Sequence, residues 1–525
     1  IMSRILAVHN SHNASICEMN DNEIIYFQEA ERLNRFKKSN NWEILFNKYR
    51  NQKFDKIIFV EAVYIDEYRK KCILKDIDNA FNILNIKCSK IIYRKGEHHF
   101  FHACAAFYNS GFKKSYVFVA DGGGCFTKTG QSIEMISLYY FNKNKFKTIY
   151  KVYRTTRAKE QKNKNKYYIN TVSLGNLFEI VRDALGYKEE GSVMGMSSYF
   201  DFEVDTSNMA FKKFNHFQIN QDRSLFMYTR GTKNTAPIMC KAVQQFLEQT
   251  VFKYIKNILK GRKRNICVSG GVFQNTVLNS KLLDIAPNLY VDPFADDSGL
   301  SMGAALWYAN QEKYKCSQIK NLFLGDLPDY SMLPLKDGIN VSPKDVAKLI
   351  AEKNIVAIYQ GRNEMGKRAL GNRSFLYDPR DFFGKERLNM LKQREFFRPT
   401  AGTVLHEHAN EWFDMKSKKE TPFMSYVFRV KKEGVPGMTH VDNTCRIQTL
   451  KKEQNFHYYN LIKAFYDLTG VPMVLNTSFN YAGQPLINTV GEAVDTLLPI
   501  EALYQNIYFP EIGKLYSTKN FSKRI

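Results

Sequence analysis

None of the nine cysteines lies in a CxxC pair, and their number is odd. That pattern excludes a disulfide framework or a cysteine-based zinc site and leaves free thiols in a reducing compartment. Long apolar runs are missing as well. The longest, such as SYVFVA and ICVSGGVF, fall far short of the roughly 20 residues a membrane helix needs. The first residues, IMSRILAVHNSHNAS, hold no basic segment followed by an apolar core. No secretory signal and no membrane partner are therefore expected, and the protein reads as cytoplasmic. Acidic side chains are scarce, with 52 Asp and Glu against 76 Lys and Arg, a net charge of +24. Such an excess suits nucleotides, phosphorylated substrates or nucleic acid. A lysine-rich compositional bias would give the same total. The basic residues crowd in RTTRAKEQKNKNKYY (154–168), which reads as a basic loop.

What is present is an ordinary globular composition, 44% hydrophobic and 24% charged, over 525 residues, enough for two to four domains. The start alternates like a hairpin meander, RILAVHNSHNASICEM, NDN, EIIYFQEA, and ERLNRFKKS follows as a helix. KIIFVEAVY and KKSYVFVADGGG read as buried strands. EHHFFHACAAFYNSG has helical spacing and closes at Gly111, and PIMCKAVQQFLEQTVFKYIKNILKG is a long amphipathic helix before the strand RNICVSGG. Strands and helices alternate, so the class is α/β. No internal repeat is visible. The turn-rich stretch 320–345 marks a boundary, which gives domains 1–335 and 336–525, and DVAKLIAEKNIVAIYQG opens the second.

Several stretches could carry chemistry. His98 and His102 stand at i and i+4 on one helical face, the spacing a shared metal needs, and His99 points elsewhere. Asp121 ends a strand in VADGGG, and Asp296 and Asp297 precede the small residues of FADDSGLSMGAA. Two histidines with two strand-end aspartates would suit iron, manganese or zinc. Gly270 and Gly271 in VSGGVFQN would let a phosphate or nucleoside come close to the backbone. His9 and His12 lie in a turn, where a histidine could act as general base or simply face solvent. GRNEMGKRALGNRSF, 361–375, nearly spells a Walker phosphate loop, but Arg368 replaces the magnesium-binding hydroxyl. Arg368, Arg373, Lys392, Arg394, Arg398 and Arg446 form instead a basic set suited to two phosphorylated molecules.

Taken in order, HNSHNAS, EAERLNRFKKS, HHFFHACAAF, VADGGG, SLGNLF, GSVMGMSSY, SGGVFQNTVLN, DDSGLSMGAA, GRNEMGKRALGNRSFLYDPR, LKQREFFRPTAGTVL, HVDNTCRIQT and GVPMVLNTSFN resemble the O-carbamoyltransferases of antibiotics and nodulation factors, over nearly the whole chain. The resemblance implies an N-terminal domain of the actin/sugar-kinase (ribonuclease-H-like) fold and a C-terminal YrdC-like α/β domain. It implies that carbamoyl phosphate and ATP, with Mg2+, are joined into carbamoyl adenylate, whose carbamoyl group then passes to a hydroxyl. Carried over residue by residue, the metal ligands would be His98, His102, Asp121 and Asp297, with Fe2+ favoured over Mn2+ or Zn2+, and His12 would be the base. Gly270, Gly271 and Asn275 would contact the adenylate. Arg368, Arg373, Lys392, Arg394, Arg398, His440, Arg446, Ser478 and Asn480 would contact carbamoyl phosphate and ATP.

The chain departs from the family pattern where Lys367 replaces Pro, Cys125 replaces Glu, and Ser192 replaces Lys. The acceptor is a sugar or antibiotic by resemblance, or a hydroxymethyl-pyrimidine nucleotide or DNA by charge. A nucleotide-binding protein that kept the fold and lost transfer is the remaining alternative, and both monomer and homodimer stay open.

Overall fold

The structure is a computed structural model describing residues 3–61, 67–127, 132–155, 166–169, 173–199, 236–312, 318–331, 333, 338–497 and 506–517. The basic stretch 156–165 lies outside the described residues, although its flanks fall within strands. The chain divides into two compact units, Ile1–Ile319 and Lys320–Ile525.

In the first unit the opening meander forms as read. Strands β1 (Arg4–His9), β2 (Ser15–Asn20) and β3 (Glu23–Glu29) run antiparallel, and β4 (Lys53–Glu61) and β5 (Lys87–Lys95) add to β1 in parallel. The sheet order is β3-β2-β1-β4-β5. Leu6, Val8, Ile16, Phe46, Phe59 and Phe81 pack into its apolar core. The helix expected over ERLNRFKKS stops after Ala30–Asn34, because Arg35 turns left-handed at φ 64°.

A second sheet contains β6 (Lys114–Ala120), β7 (Ser132–Asn142), β8 (Lys145–Thr155), β9 (Lys166–Ile169), β10 (Ile266–Ser269) and β11 (Leu289–Val291), in the order β11-β10-β6-β7-β8-β9. With β9 set aside it repeats the first sheet. β6, β7 and β8 form the antiparallel meander, and β10 and β11 join β6 in parallel. The unit is thus a duplicated ribonuclease-H-like fold, the actin/sugar-kinase architecture. The duplication is one of topology rather than of residues, which is why no repeat shows in the sequence.

Helix His98–Asn109 is buried along its whole length. It packs against helix Gly299–Glu312, and the contact is possible only because the facing residue is glycine. A Cβ on Gly303 would come within 1.9 Å of the Phe101 carbonyl oxygen. The small residues of SMGAA therefore let two backbones meet closely, and this fixes the loop carrying Asp297 against the helix carrying His98 and His102.

The second unit is also α/β. Among the described residues its sheet has ten strands, β12 (Ile339–Asn340), β13 (Val356–Tyr359), β14 (Arg373–Tyr377), β15 (Ala401–Leu405), β16 (Phe413–Asp414), β17 (Val427–Val430), β18 (Thr444–Leu450), β19 (Met473–Ser478), β20 (Asn506–Phe509) and β21 (Lys514–Ser517). Helix Pro343–Ala351 begins with a Ser342/Asp345 capping box and Pro343 in its first turn, so the expected helix–strand opening of this unit forms.

Candidate active site and metal centre

Asp121 follows the end of β6, Asp297 lies two residues before helix Gly299–Glu312, and His98 and His102 project from one face of their helix. Their ligand atoms all lie within 4.8 Å of one another. His98 Nε2 is 3.3 Å from both Asp121 Oδ2 and Asp297 Oδ1, and His102 Nε2 is 3.5 Å from the same two oxygens. Ligands about 2.0–2.2 Å from a common tetrahedral ion stand about 3.3–3.6 Å apart, so the four atoms fit one ion. The donor chemistry agrees, since two imidazoles and two carboxylates suit iron, manganese or zinc.

The surroundings hold these ligands in place. Asp121 Oδ1 accepts from Gly122 N (2.7 Å) and Gly271 N (3.2 Å), which turns Oδ2 toward the histidines. Gly270 adopts φ 95°, and a Cβ there would sit 2.3 Å from the Ala120 carbonyl. Gly270 and Gly271 thus work here through backbone approach to β6 and to Asp121. Burial opposes charge on His98, but Asp297 and Asp121 outweigh it and raise its pKa well above the ordinary value. Asp296 is turned away from this group and accepts from Ser298 Oγ at 2.5 Å.

His12 joins the group from the β1–β2 turn. Its Nε2 lies 2.6 Å from Asp297 Oδ2, and its side chain is 54% exposed. The hydrogen bond to Asp297, working against partial burial, raises its pKa. His12 borders a cleft of about 740 Å³ lined also by Asn10, Ser11, Phe36, Lys37 and Lys38. Phe36 is 73% exposed, and Lys37 pairs with Glu189 at 2.7 Å.

Asn275 is engaged by its own fold. Its Oδ1 caps helix Thr276–Leu282 by accepting from Leu278 N (3.0 Å), and its Nδ2 donates to Gln244 Oε1 (2.7 Å). Cys125 is buried, with Sγ 3.4 Å from His98 N, and burial pushes the thiol up to about 11. Ser192 is buried in helix Glu190–Ser197.

In the second unit the basic set comes together only in part. Burial and the guanidinium groups of Arg368, Arg394 and Arg398 hold Arg446, on β18, well below the usual arginine range. The Arg446 Nε is buried without a hydrogen-bond partner. His440 lies close by, with Nε2 2.9 Å from Thr400 O and Nδ1 3.2 Å from Thr444 Oγ1. The Lys392 ammonium donates to Ser478 Oγ (3.0 Å), Asn480 O (2.7 Å) and Asn480 Oδ1 (2.9 Å), joining three of the expected residues.

Arg373 is held separately, by the backbone of its own loop. It is fully buried, stacks on Tyr359 at 3.6 Å, and donates to the carbonyls of Gln360, Asn372 and Gly361. Those bonds tie it into the fold, and its Nε is buried without a hydrogen-bond partner. The near-Walker loop is organised by its own glutamate. Glu364 Oε1 accepts from the backbone N–H of Leu370, Asn372 and Arg373, which takes from the loop the donors a phosphate would need.

Ser269 and Asp292, both buried behind His102, were not singled out from sequence. The signal that located Asp121, a polar residue where a strand ends, applies to each of them. Phe36 and Lys38 lie inside a motif, but only the fold brings that motif to His12.

Two family models match the chain, Carbamoyltransferase N-terminus over residues 26–306 and Carbamoyltransferase C-terminus over residues 347–507. Nodulation protein NolNO of Sinorhizobium fredii is 33% identical over 442 residues, which cover 76% of this chain and 61% of that protein. Nodulation protein NolO of Bradyrhizobium diazoefficiens is 31% identical, covering 76% of each chain. Among solved structures, T. kodakarensis HypF overlaps 59% of this chain and 48% of its own, with 12% identity and a TM-score of 0.35.

Proposed function

Since the chain belongs to the carbamoyltransferase family, we propose that it is an ATP-dependent O-carbamoyltransferase whose acceptor hydroxyl meets His12. One observation carries the reading: Asp297 presents Oδ1 to His98 and His102 and Oδ2 to His12, so ligand group and base share one carboxylate. A divalent ion held by His98, His102, Asp121 and Asp297, Fe2+ first among the candidates, would supply a Lewis acid for a phosphate or carbonyl oxygen. His12 donates its Nε2–H to Asp297, which leaves the Nδ1 lone pair to take the acceptor's proton while the carboxylate steadies the imidazolium.

In the second unit the guanidinium cluster around Arg446 supports an anion site, because like charges in a partly buried group call for a counter-charge. There, water cleaves carbamoyl phosphate to carbamate and phosphate. A carbamate oxygen attacks the α-phosphorus of ATP, pyrophosphate leaves, and carbamoyl adenylate results. The acceptor oxygen then attacks the carbamoyl carbon, its proton passes to His12, and AMP departs. A YrdC-like fold for the second unit belongs to the same reading.

For the acceptor, the exposed Phe36 ring beside Lys37 and Lys38, with the net charge of +24, favours a hydroxymethyl-pyrimidine nucleotide or DNA carrying one. The cleft is also lined by Asn34, Ser39, Asn40 and Asn41, and these amides and hydroxyls support a sugar as the second reading. Mass spectrometry of both acceptor pools, with ATP, carbamoyl phosphate and Fe2+ or Mn2+, tests this. The expected outcome is a carbamoyl group on the nucleotide pool, lost in His12→Ala. Phe36→Ala should weaken the acceptor by about 1–3 kcal/mol, the worth of one stacked base. Product on sugars alone would select the second reading. Neither product nor AMP in any pool would leave a nucleotide-binding protein without transfer.

A further inference from the structure

We infer that Ser269 and Asp292 form a positioning relay that decides which ring nitrogen of His102 is free to bind a metal. The inference rests on the metal reading of the preceding subsection. A histidine binds a metal through a nitrogen lone pair, so His102 must carry its proton on Nδ1 if Nε2 is to face Asp121 and Asp297. His102 Nδ1 lies 3.3 Å from Ser269 Oγ, and Ser269 Oγ donates to Asp292 Oδ2 at 2.8 Å. A serine hydroxyl has one proton. Once that proton is given to the carboxylate, Oγ can only accept, and the donor must be His102 Nδ1–H.

The fold fixes both partners. Ser269 is the last residue of β10, Asp292 follows β11 directly, and the two strands pair in parallel. Asp292 N donates to Val268 O at 3.0 Å, and Asp292 Oδ1 accepts from Phe294 N at 3.1 Å. His102, Ser269 and Asp292 are each at most 2% exposed, so these bonds are shielded from bulk water. The other histidine lacks such a device, since His98 Nδ1 is buried without a hydrogen-bond partner. The relay therefore acts on one ligand of the pair.

The geometry makes one substitution directional. In Asp292→Asn the oxygen stays with Phe294 N–H, so the amide nitrogen faces Ser269 and donates to it. The serine hydroxyl must then turn and donate to His102 Nδ1, which moves the imidazole proton onto Nε2. Ser269→Ala removes the acceptor without reversing anything. A packing role would give the opposite order, because Asp292→Asn keeps its shape while Ser269→Ala leaves a void.

The test is Zn2+ affinity of the full chain, measured by competition with a chromophoric chelator, for the parent and both variants. Both should bind more weakly, with Asp292→Asn losing about 10–100-fold and at least as much as Ser269→Ala. Asp292→Asn binding within twofold of the parent, or losing less than Ser269→Ala, overturns the relay. Ring 15N shifts of the metal-free parent and of Asp292→Asn at alkaline pH give a second measurement, whose spectra also report whether each protein is folded. Asp121 and Asp297 draw a proton to Nε2 in both, so the expected result is a share of His102 Nδ1–H that falls in Asp292→Asn, and a share that the substitution leaves unchanged overturns the inference. A parent chain that binds no Zn2+ sinks the metal reading instead, and the 15N measurement still judges the relay.

Discussion

Arg446 shows at the scale of one residue how the proposed anion site would oppose the stability of the protein that carries it. Its guanidinium is partly buried and faces those of Arg368, Arg394 and Arg398, so removing its charge relieves repulsion in the ligand-free protein. Arg446→Met should keep or raise the melting temperature, by the equivalent of about 1 kcal/mol, while weakening inorganic phosphate or ATP binding about tenfold or more. Calorimetric titration with thermal melting checks both signs, and a variant that melts well below the parent and still binds would contradict the assignment. Glu134 presents the opposite case. Burial works against its charge, but His99 and Lys151 outweigh that and bring its pKa from the ordinary 4.5 to about 2, with Lys151 Nζ 2.7 Å away. A lowered folded value stabilises above the unfolded value and loses that contribution as pH falls. The melting-temperature advantage of the parent over Glu134→Gln should thus be full above pH 4.5 and fade toward about pH 2; a gap that does not change with pH would reject it. Residues at this scale were legible where type and spacing sufficed. His98 and His102 follow from an i, i+4 interval and Asp121 from its place at a strand end, whereas position left Asp296 and Asp297 level and only the family resemblance singled out Asp297. The enclosure of Arg373 was not legible, because nothing local says that Tyr359 and three carbonyls will surround it.

Elements decide whether those residues meet. Helix His98–Asn109 and the loop before helix Gly299–Glu312 come from opposite ends of the first unit's sequence, and Gly303 against the Phe101 carbonyl sets their separation. Gly303→Val should push the helices apart, lower the melting temperature, and move Asp297 away from His98 and His102. A weakening of metal affinity of about tenfold or more is expected, within the range that a displaced ligand set brings. Chelator competition and melting read the two effects. Melting lowered without a change in metal affinity would mean that the glycine serves packing alone. The strands and long helices behind this arrangement were legible, because KKSYVFVA and PIMCKAVQQFLEQTVFKYIKNILKG carry clear periodicity. The end of the Ala30–Asn34 helix was not, since it depends on a left-handed arginine that no helix-stop rule names. The loop between β13 and β14 was read as no Walker loop, since Arg368 replaces the hydroxyl, but its inner order was not legible: Glu364 gathers its N–H groups through contacts six or more residues away.

At the scale of the whole molecule, the two candidate binding groups fall in different units. His12, His98, His102, Asp121 and Asp297 belong to Ile1–Ile319, whereas Arg368, Lys392, Arg394, Arg398, His440 and Arg446 belong to Lys320–Ile525. A ligand that binds only the native form of a unit stabilises that unit by RT ln(1 + [L]/Kd), about 2.7 kcal/mol at one hundred times Kd. For units of this size that amounts to a shift of several degrees in melting temperature. Scanning calorimetry of the full chain should therefore resolve two transitions with separate ligand responses. Zn2+ or Mn2+ should raise one and EDTA should return it, while pyrophosphate should raise the other. Asp297→Asn should abolish the metal response and leave the pyrophosphate response intact, and Arg446→Met should do the reverse. A single transition moved by both ligands would mean that the units unfold together, and the separate assignment would fail. A pyrophosphate response that survives Arg446→Met and disappears in Asp297→Asn would move the anion site to the first unit. The duplicated sheet gives a physical reason to expect the separation. The first unit assembles its candidate metal group from β6, helix His98–Asn109 and the loop before helix Gly299–Glu312, all within its own core.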